Sequence, residues 1–169
     1  MNTVEPKIYV ACLAAYNSGY LHGIWIDANQ SADAIETEVQ EMLKKSPIPL
    51  AEEWAVHDHD GFGSFQIDEN ESFETISQIA TFIVETGEVG TELLIHYGDL
   101  ETAQRAWEEY QGTYDSEEDF AYELMNSCYE VPSYLEYYID YEKFARDLFL
   151  CDYLSIEVDG KIHVFSNNF

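Results

Sequence analysis

The first sixty residues combine strand-like apolar runs with one helical stripe. The runs are KIYVACLAAY, LHGIWIDA and EEWAVHDHDG, and the turn signal Asn17-Ser18-Gly19 separates the first two. Ser31 or Asp33 can cap a helix that extends through Lys45. Its apolar positions recur at helical spacing, at Ile35, Val39, Met42 and Leu43. This pattern predicts a small α+β unit over residues 1–61.

The pattern of residues 62–103 is helical. An apolar stripe begins at Phe73 and is closed by Gly87, and its other members are Ile76, Ile79, Ala80 and Ile83. The segment 91–97 fits a short helix or a strand, since periodicity does not separate the two in so short a run. Asp99 is a predicted N-cap for the next helix. That helix has a stripe at Leu100, Ala103, Ala106, Trp107 and Tyr110.

Residues 104–169 mix helical and strand signals. Ser116 is a predicted N-cap, with Asp119 at the third helical position as an approximate capping box. After Pro132 the chain can form one or two helices, and two alternating runs then flank Asp159-Gly160, a strong hairpin signal. The whole chain therefore predicts an α+β fold of three small domains, 1–61, 62–103 and 104–169, with α+β ends flanking a helical middle.

Composition shows that this is a folded polyanion. Of 169 residues, 46% are apolar and 15% aromatic, which is too many for a disordered acidic tail. The formal charge is nevertheless -27, from 34 Asp and Glu against 7 Lys and Arg. A small soluble domain typically has a net charge of magnitude about 2–8. Such an excess argues against direct binding to nucleic acid or to an acidic membrane, because both are polyanions.

The negative charge is spread over all three predicted domains. Residues 1–61 hold 10 acids and 3 bases, residues 62–103 hold 9 acids and no base, and residues 104–169 hold 15 acids and 4 bases. The 59 residues between Lys45 and Arg105 contain no Lys or Arg. Because the acids alternate with apolar residues at structural periods, a folded scaffold is expected to hold them in solvent. A halophile-like solvated surface is the alternative interpretation of the same composition.

Cysteine usage and hydropathy favour a cytoplasmic protein. Cys12, Cys128 and Cys151 form an odd, scattered set with no CxxC motif, which fits reduced thiols better than a disulfide framework. The apolar run near the N-terminus lacks a basic leader and is far shorter than the ~20 residues that a membrane span needs.

The segment 58–69 is the strongest candidate metal site, and an acidic calcium-binding module is the alternative function that it suggests. Counted from Asp58, the segment places Asp60 at position 3, Gly63 at 6 and Glu69 at 12 of an EF-hand loop. Position 5, however, is Phe62, which has no ligating atom. The stretch between Pro49 and His57 is also too short for the incoming helix.

Other chemistry has weaker support in the sequence. His57 and His59 would share one face of a strand, but no third His or Cys lies nearby. No Gly-x-Ser-x-Gly elbow or glycine-rich phosphate loop is present, so no enzyme activity, cofactor or metal is predicted. The 13 tyrosines fit either half-buried core positions, as suggested for Tyr9 and Tyr138, or an interface patch. The cluster Tyr134, Tyr137, Tyr138 and Tyr141 is open to both interpretations.

Two stretches of sequence resemble a known family. The opening IYVACLAAYNSGYLHGIWIDA, followed by EEWAVHDHDGF, is similar to the start of ArdA antirestriction proteins. The stretch AQRAWEEYQGTYDSEEDFAYEL resembles the antirestriction region of that family. The positions in this chain that match the spacing of that region are Tyr110, Gly112, Tyr114, Ser116, Asp119 and Phe120.

The resemblance implies a function without catalysis. Members of the family are encoded on mobile genetic elements, form homodimers, and mimic B-form DNA in the DNA-binding groove of type I restriction–modification enzymes. It also implies an elongated chain of three small domains. We therefore expect a DNA-mimic inhibitor whose carboxylates replace phosphates. The carboxylates expected to contact the methyltransferase and specificity core of the enzyme are Asp68, Glu69, Glu71, Glu74, Glu85, Glu88, Glu92, Asp99, Glu101, Glu108, Glu109, Asp115, Glu117, Glu118, Asp119 and Glu123.

Overall fold

A computed structural model describes residues 5–168. The chain divides into two compact units, one comprising the described residues up to Thr91 and the other beginning at Glu92. Six α-helices and two three-stranded sheets form within residues 5–168, which confirms the α+β prediction. The division into three small domains remains a prediction.

The first unit contains an antiparallel sheet of order β2-β1-β3. Its elements are β1 (Lys7–Cys12), α1 (Leu13–Asn17), β2 (Gly23–Asp27), α2 (Ala32–Lys44), β3 (Trp54–Asp60) and most of α3 (Phe73–Tyr97). The three predicted strands are confirmed. The first apolar run, however, is divided between β1 and the short helix α1, because Cys12 ends the strand and Leu13 begins a helical turn.

The core of the first unit lies on one face of this sheet. Alternate residues of a strand point to opposite faces, and Ile8, Val10 and Ile26 are almost completely buried together with Ile35 and Val39 of α2. The hydroxyl of Ser31 accepts a hydrogen bond from the backbone N–H of Ala34, so Ser31 is the N-cap of α2 as predicted. Helix α2 therefore packs against the sheet through the apolar stripe that the sequence predicted.

Helix α3 consists of two helical runs separated by a kink at Gly87. Gly87 has φ 67° and ψ -150°, a conformation outside helical geometry, yet helix resumes beyond it to Tyr97. This backbone region is accessible essentially to glycine alone. The prediction that Gly87 closes the helical run beginning at Phe73 is therefore correct, and the undecided segment 91–97 lies in the second run, which is helical.

The second unit contains an antiparallel sheet of order β4-β6-β5. Its elements after α3 are α4 (Leu100–Glu108), β4 (Tyr110–Tyr114), α5 (Glu117–Cys128), a short 3-10 turn (Glu136–Tyr138), α6 (Tyr141–Cys151), β5 (Tyr153–Val158) and β6 (Lys161–Ser166). The hairpin at Asp159-Gly160 and the caps at Asp99 and Ser116 are confirmed.

One sequence-based assignment in this unit is wrong. Tyr110 was predicted to extend the apolar stripe of the helix after Asp99, but α4 ends at Glu108 and Tyr110 begins β4. Strand β4 pairs with β6, about fifty residues later, and this pairing is invisible to local periodicity. The register of the pair shifts between Tyr110 and Gly112, and Gly112 has φ 138°, so glycine accommodates the irregularity.

Candidate protein-binding surface

The carboxylates of both units lie in solvent. All 34 Asp and Glu fall within the described residues; 30 are exposed, four are half-buried and none is buried. The half-buried four are Glu38, Glu71, Glu109 and Glu117. Seven Lys and Arg can neutralise at most seven of these groups. The large net charge is therefore displayed at the surface.

Several carboxylates are fixed in position by helix capping. The Asp99 carboxylate accepts a hydrogen bond from the backbone N–H of Thr102, and this bond lowers the pKa of Asp99 below its usual value. Helix α5 begins with Ser116 as N-cap, and Glu117, Glu118 and Asp119 fill its first turn. Negative charge is favourable at this end of a helix because of the unpaired N–H groups and the macrodipole. The sequence can thus concentrate carboxylates here without a local stability penalty.

Side-chain contacts hold two more of these groups in place. Glu117 accepts a hydrogen bond of 2.6 Å from the hydroxyl of Ser155, which joins α5 to β5. Asp115 forms an ion pair with Lys161, between β4 and β6. The acidic surface of the second unit is therefore attached to a packed scaffold rather than to a loose tail.

The sixteen carboxylates predicted to contact a partner are accessible to different degrees. Thirteen are exposed, and Glu71, Glu109 and Glu117 are half-buried. Ten acids lie in residues 1–61, where the sequence had suggested no contact residues, and nine of them are exposed. Which acids contact a partner remains a prediction.

The predicted antirestriction region consists partly of scaffold residues. Phe120 is buried, and its ring contacts that of Tyr114 edge to face with centroids 5.1 Å apart. Burial, with smaller effects from Glu123 and Tyr110, raises the pKa of Tyr114. Ser116 caps α5 by accepting a hydrogen bond from the backbone N–H of Asp119. Among the region's residues, these four connect β4 to α5.

Tyr110 lies in an aromatic cluster on the second sheet. Its ring stacks on that of Trp107 at 5.7 Å, and its hydroxyl is 2.9 Å from Nδ1 of His163 and 2.6 Å from the hydroxyl of Thr113. Burial lowers the pKa of His163. Tyr110 is 39% exposed, so this cluster reaches the protein surface.

The tyrosine cluster that the sequence left open is largely exposed. Tyr134, Tyr137 and Tyr138 are 71%, 92% and 83% exposed, so the half-buried position suggested for Tyr138 is wrong. Tyr141 is half-buried and its ring contacts that of Tyr122, with centroids 5.1 Å apart. Tyr9 is half-buried, as suggested.

The segment 58–69 does not adopt the geometry of an EF-hand loop. Asp58 and Asp60 lie on β3, paired with β1, and Phe62 is fully buried. A cavity of about 580 Å³ lies along β3, lined by Tyr16, Val56, His57, Asp58, His59, Gln66, Ile67 and Glu69. Even so, no three His, Cys, Asp or Glu side chains within residues 5–168 are placed to hold a metal ion.

One exposed face of the first sheet was not predicted from the sequence as a candidate surface. Tyr9 and Trp25 are paired across β1 and β2, with ring centroids 5.5 Å apart, and Asp27 follows on the same face. Trp25 and Asp27 are two residues apart on β2 and therefore share a face, whereas the strand order that brings Asp58 opposite Tyr9 is not visible in the local sequence. In the described part of the chain, no helix is long and apolar enough to span a membrane.

Comparison with known proteins identifies the family. Residues 8–162 match the model for "Antirestriction protein (ArdA)", and no curated protein sequence matches the chain. The match covers nearly the whole chain, including both stretches on which the resemblance rested. The chain therefore belongs to the ArdA family of antirestriction proteins.

Proposed function

We propose that this protein inhibits type I restriction–modification enzymes by occupying their DNA-binding groove as a DNA mimic. The supporting observation is that none of the 34 carboxylates is buried, whereas only seven basic residues oppose them. Family membership supports an antirestriction role, and the choice of type I enzymes follows from the sequence resemblance. Inhibition requires occupancy and no chemical step.

The amount of charge suits an extended DNA-binding channel. Duplex DNA has one negative charge per roughly 1.7 Å of axis, so 27 net charges correspond to about 46 Å of duplex. Lys and Arg of the target, which normally pair with phosphates, would pair with Asp and Glu instead. Complementary charge accelerates association and makes it sensitive to salt.

The positions of the acids favour mimicry over a solvated halophile-like surface. Halophilic adaptation requires acidic exposure but no fixed placement. Here Asp99, Glu117 and Asp119 are held by hydrogen bonds to neighbouring groups. A carboxylate that is already ordered loses less conformational entropy when it pairs with an arginine of the target.

We further propose that the protein acts as a homodimer in the cytoplasm, as the resemblance implies. The exposed aromatic side chains of Tyr134, Tyr137 and Tyr138 support a protein contact, since tyrosine is enriched at interfaces. Analytical ultracentrifugation at physiological salt tests this proposal. Twice the 19.5 kDa chain mass is expected, whereas a monomer at micromolar concentration contradicts it.

The proposed inhibition is tested by competition. The purified methyltransferase core of a type I enzyme is bound to labelled duplex, and the protein is added in increasing amounts. Release of the duplex at low salt supports mimicry. Retention of the duplex at a large excess of the protein contradicts it.

A further inference from the structure

The open face of the first sheet has the chemistry of an arginine-binding surface. Ile8, Val10 and Ile26 point into the core, so the residues that alternate with them lie on the opposite face. There Trp25 is 47% exposed and its ring adjoins that of Tyr9. An exposed tryptophan on an uncovered sheet face offers a flat aromatic surface to a partner.

Carboxylates flank this aromatic pair on two sides. Asp27 lies two residues beyond Trp25 along β2, and Asp58 is paired with Tyr9 on the other side of β1. Both are exposed. Directly opposite residues of paired strands have Cβ atoms about 4.5–5.5 Å apart, so Trp25 and Asp58 each lie close to Tyr9, and neighbouring arginine side chains can reach the rings and the carboxylates together.

Lys7 is the lysine on this face, and it is already paired with a carboxylate. Lys7 forms an ion pair of 3.0 Å with Glu5, and that hydrogen bond, with smaller contributions from Asp27 and Asp60, raises the pKa of Lys7. Lys7 is paired with Asp27 on one side and with Asp60 on the other. This face therefore has three aspartates, Asp27, Asp58 and Asp60, and one lysine that is already paired with Glu5, so its net charge is negative.

The negative charge and the aromatic rings of this face together indicate which kind of partner binds there. A second copy of this face would be repelled by like charge, and so would the phosphates of a nucleic acid. A guanidinium group stacks on tryptophan and at the same time donates to carboxylates, whereas an ammonium group is a compact, strongly hydrated charge. We propose that the face formed by Tyr9, Trp25, Asp27 and Asp58 binds arginine side chains of the target protein.

This inference extends the proposed function to the first unit and rests on it for the identity of the target. Arginine binding can nevertheless be tested separately from inhibition, because selectivity for arginine can be measured without a restriction enzyme. Deca-arginine and deca-lysine peptides are titrated into the full-length protein at low salt, with binding followed by calorimetry. The wild type is expected to bind deca-arginine about threefold more tightly, the effect of one exposed cation–π contact.

Trp25→Leu is expected to reduce the preference for arginine and to change the affinity for deca-lysine much less. Tyr20→Leu is the matched control, because Tyr20 is also an exposed aromatic residue, at 55%, outside the sheet. A preference as large in Trp25→Leu as in the wild type overturns the proposal. So does a preference that is lost equally in Tyr20→Leu.

Asp27→Asn provides a second test that does not alter the aromatic pair. It is expected to weaken deca-arginine binding by about twofold to fivefold, the range of a modest charged contact. Asp33→Asn, which removes an exposed carboxylate from α2, is the control. Equal effects of the two substitutions contradict a specific role for the face.

The same four variants in the DNA-displacement assay separate the two proposals. If the wild type displaces duplex while Trp25→Leu and Asp27→Asn displace it as well as the two controls, the face does not bind the target and the inference is wrong. If the wild type fails to displace duplex, the proposed function is wrong. The peptide titrations then decide arginine binding independently.

Discussion

Ser116 caps helix α5 and also orients the carboxylate of Asp119. The Ser116 hydroxyl accepts a hydrogen bond of 3.1 Å from the backbone N–H of Asp119 and donates one of 2.7 Å to its carboxylate. The pair satisfies a backbone donor at the helix start and fixes the direction of a carboxylate within the antirestriction region. Local folding and display of charge therefore depend on the same two side chains.

We expect Ser116→Ala to destabilise the protein by about 1 kcal/mol, since it removes the N-cap of a packed helix. Urea denaturation of the wild type and the variant measures the change. Ser127→Ala on the same helix is the matched control. Its hydroxyl donates only to the backbone carbonyl of Glu123, which already belongs to the helix, so a change within about 0.5 kcal/mol is expected. A Ser116 variant as stable as the control would contradict the role of the cap.

Asp99 makes a pH-dependent contribution to stability. Its pKa is lowered in the folded protein, so the stabilisation is fully present above the unfolded pKa of about 3.9 and is lost as the pH falls through the folded pKa. Wild type is therefore expected to melt higher than Asp99→Ala at pH 5–7, and the gap should shrink below about pH 4. Glu52→Ala removes an exposed acid that lies outside the helices and should show a smaller gap. A difference between wild type and Asp99→Ala that is constant with pH would contradict the assignment.

Calcium is not expected to bind at residues 58–69. Asp58 and Asp60 are strand residues, and position 5 of the would-be loop is the buried Phe62. The melting temperature should therefore be the same in millimolar calcium and in chelator. An upward shift with calcium that Asp58→Ala abolishes would instead support the alternative of a calcium-binding module.

Neutralisation of single carboxylates is expected to weaken target binding gradually. Exposed ion pairs contribute about 0–1 kcal/mol each, so one Glu→Gln change such as Glu118→Gln should reduce affinity by less than about fivefold. Combining Glu118→Gln with changes at Glu108 and Glu123 should reduce it progressively. Binding constants at fixed salt measure this series. Complete loss from one substitution would indicate an active-site residue rather than a spread of charge.

Much of the fold could be predicted because its signals are local. The stripe of α2, the caps at Ser31, Asp99 and Ser116, and the Asp-Gly hairpin each depend on residues a few positions apart. Strand β4 was missed because its identity depends on pairing with β6, about fifty residues away.

The candidate surface could be predicted only in part. Exposure of the acids follows from the cost of burying unpaired charge, so composition was sufficient for that prediction. The aromatic face of the first sheet depends on the order β2-β1-β3, which places Trp25 and Asp58 on either side of Tyr9. No local pattern encodes that order.

Competition with DNA for a type I methyltransferase core, measured across salt concentrations, tests the account most directly. The protein is predicted to displace labelled duplex at low salt, with an apparent affinity that falls steeply as salt rises, because charge pairing supplies the binding energy. A protein that leaves the duplex bound at low salt, even in large excess, would contradict DNA mimicry.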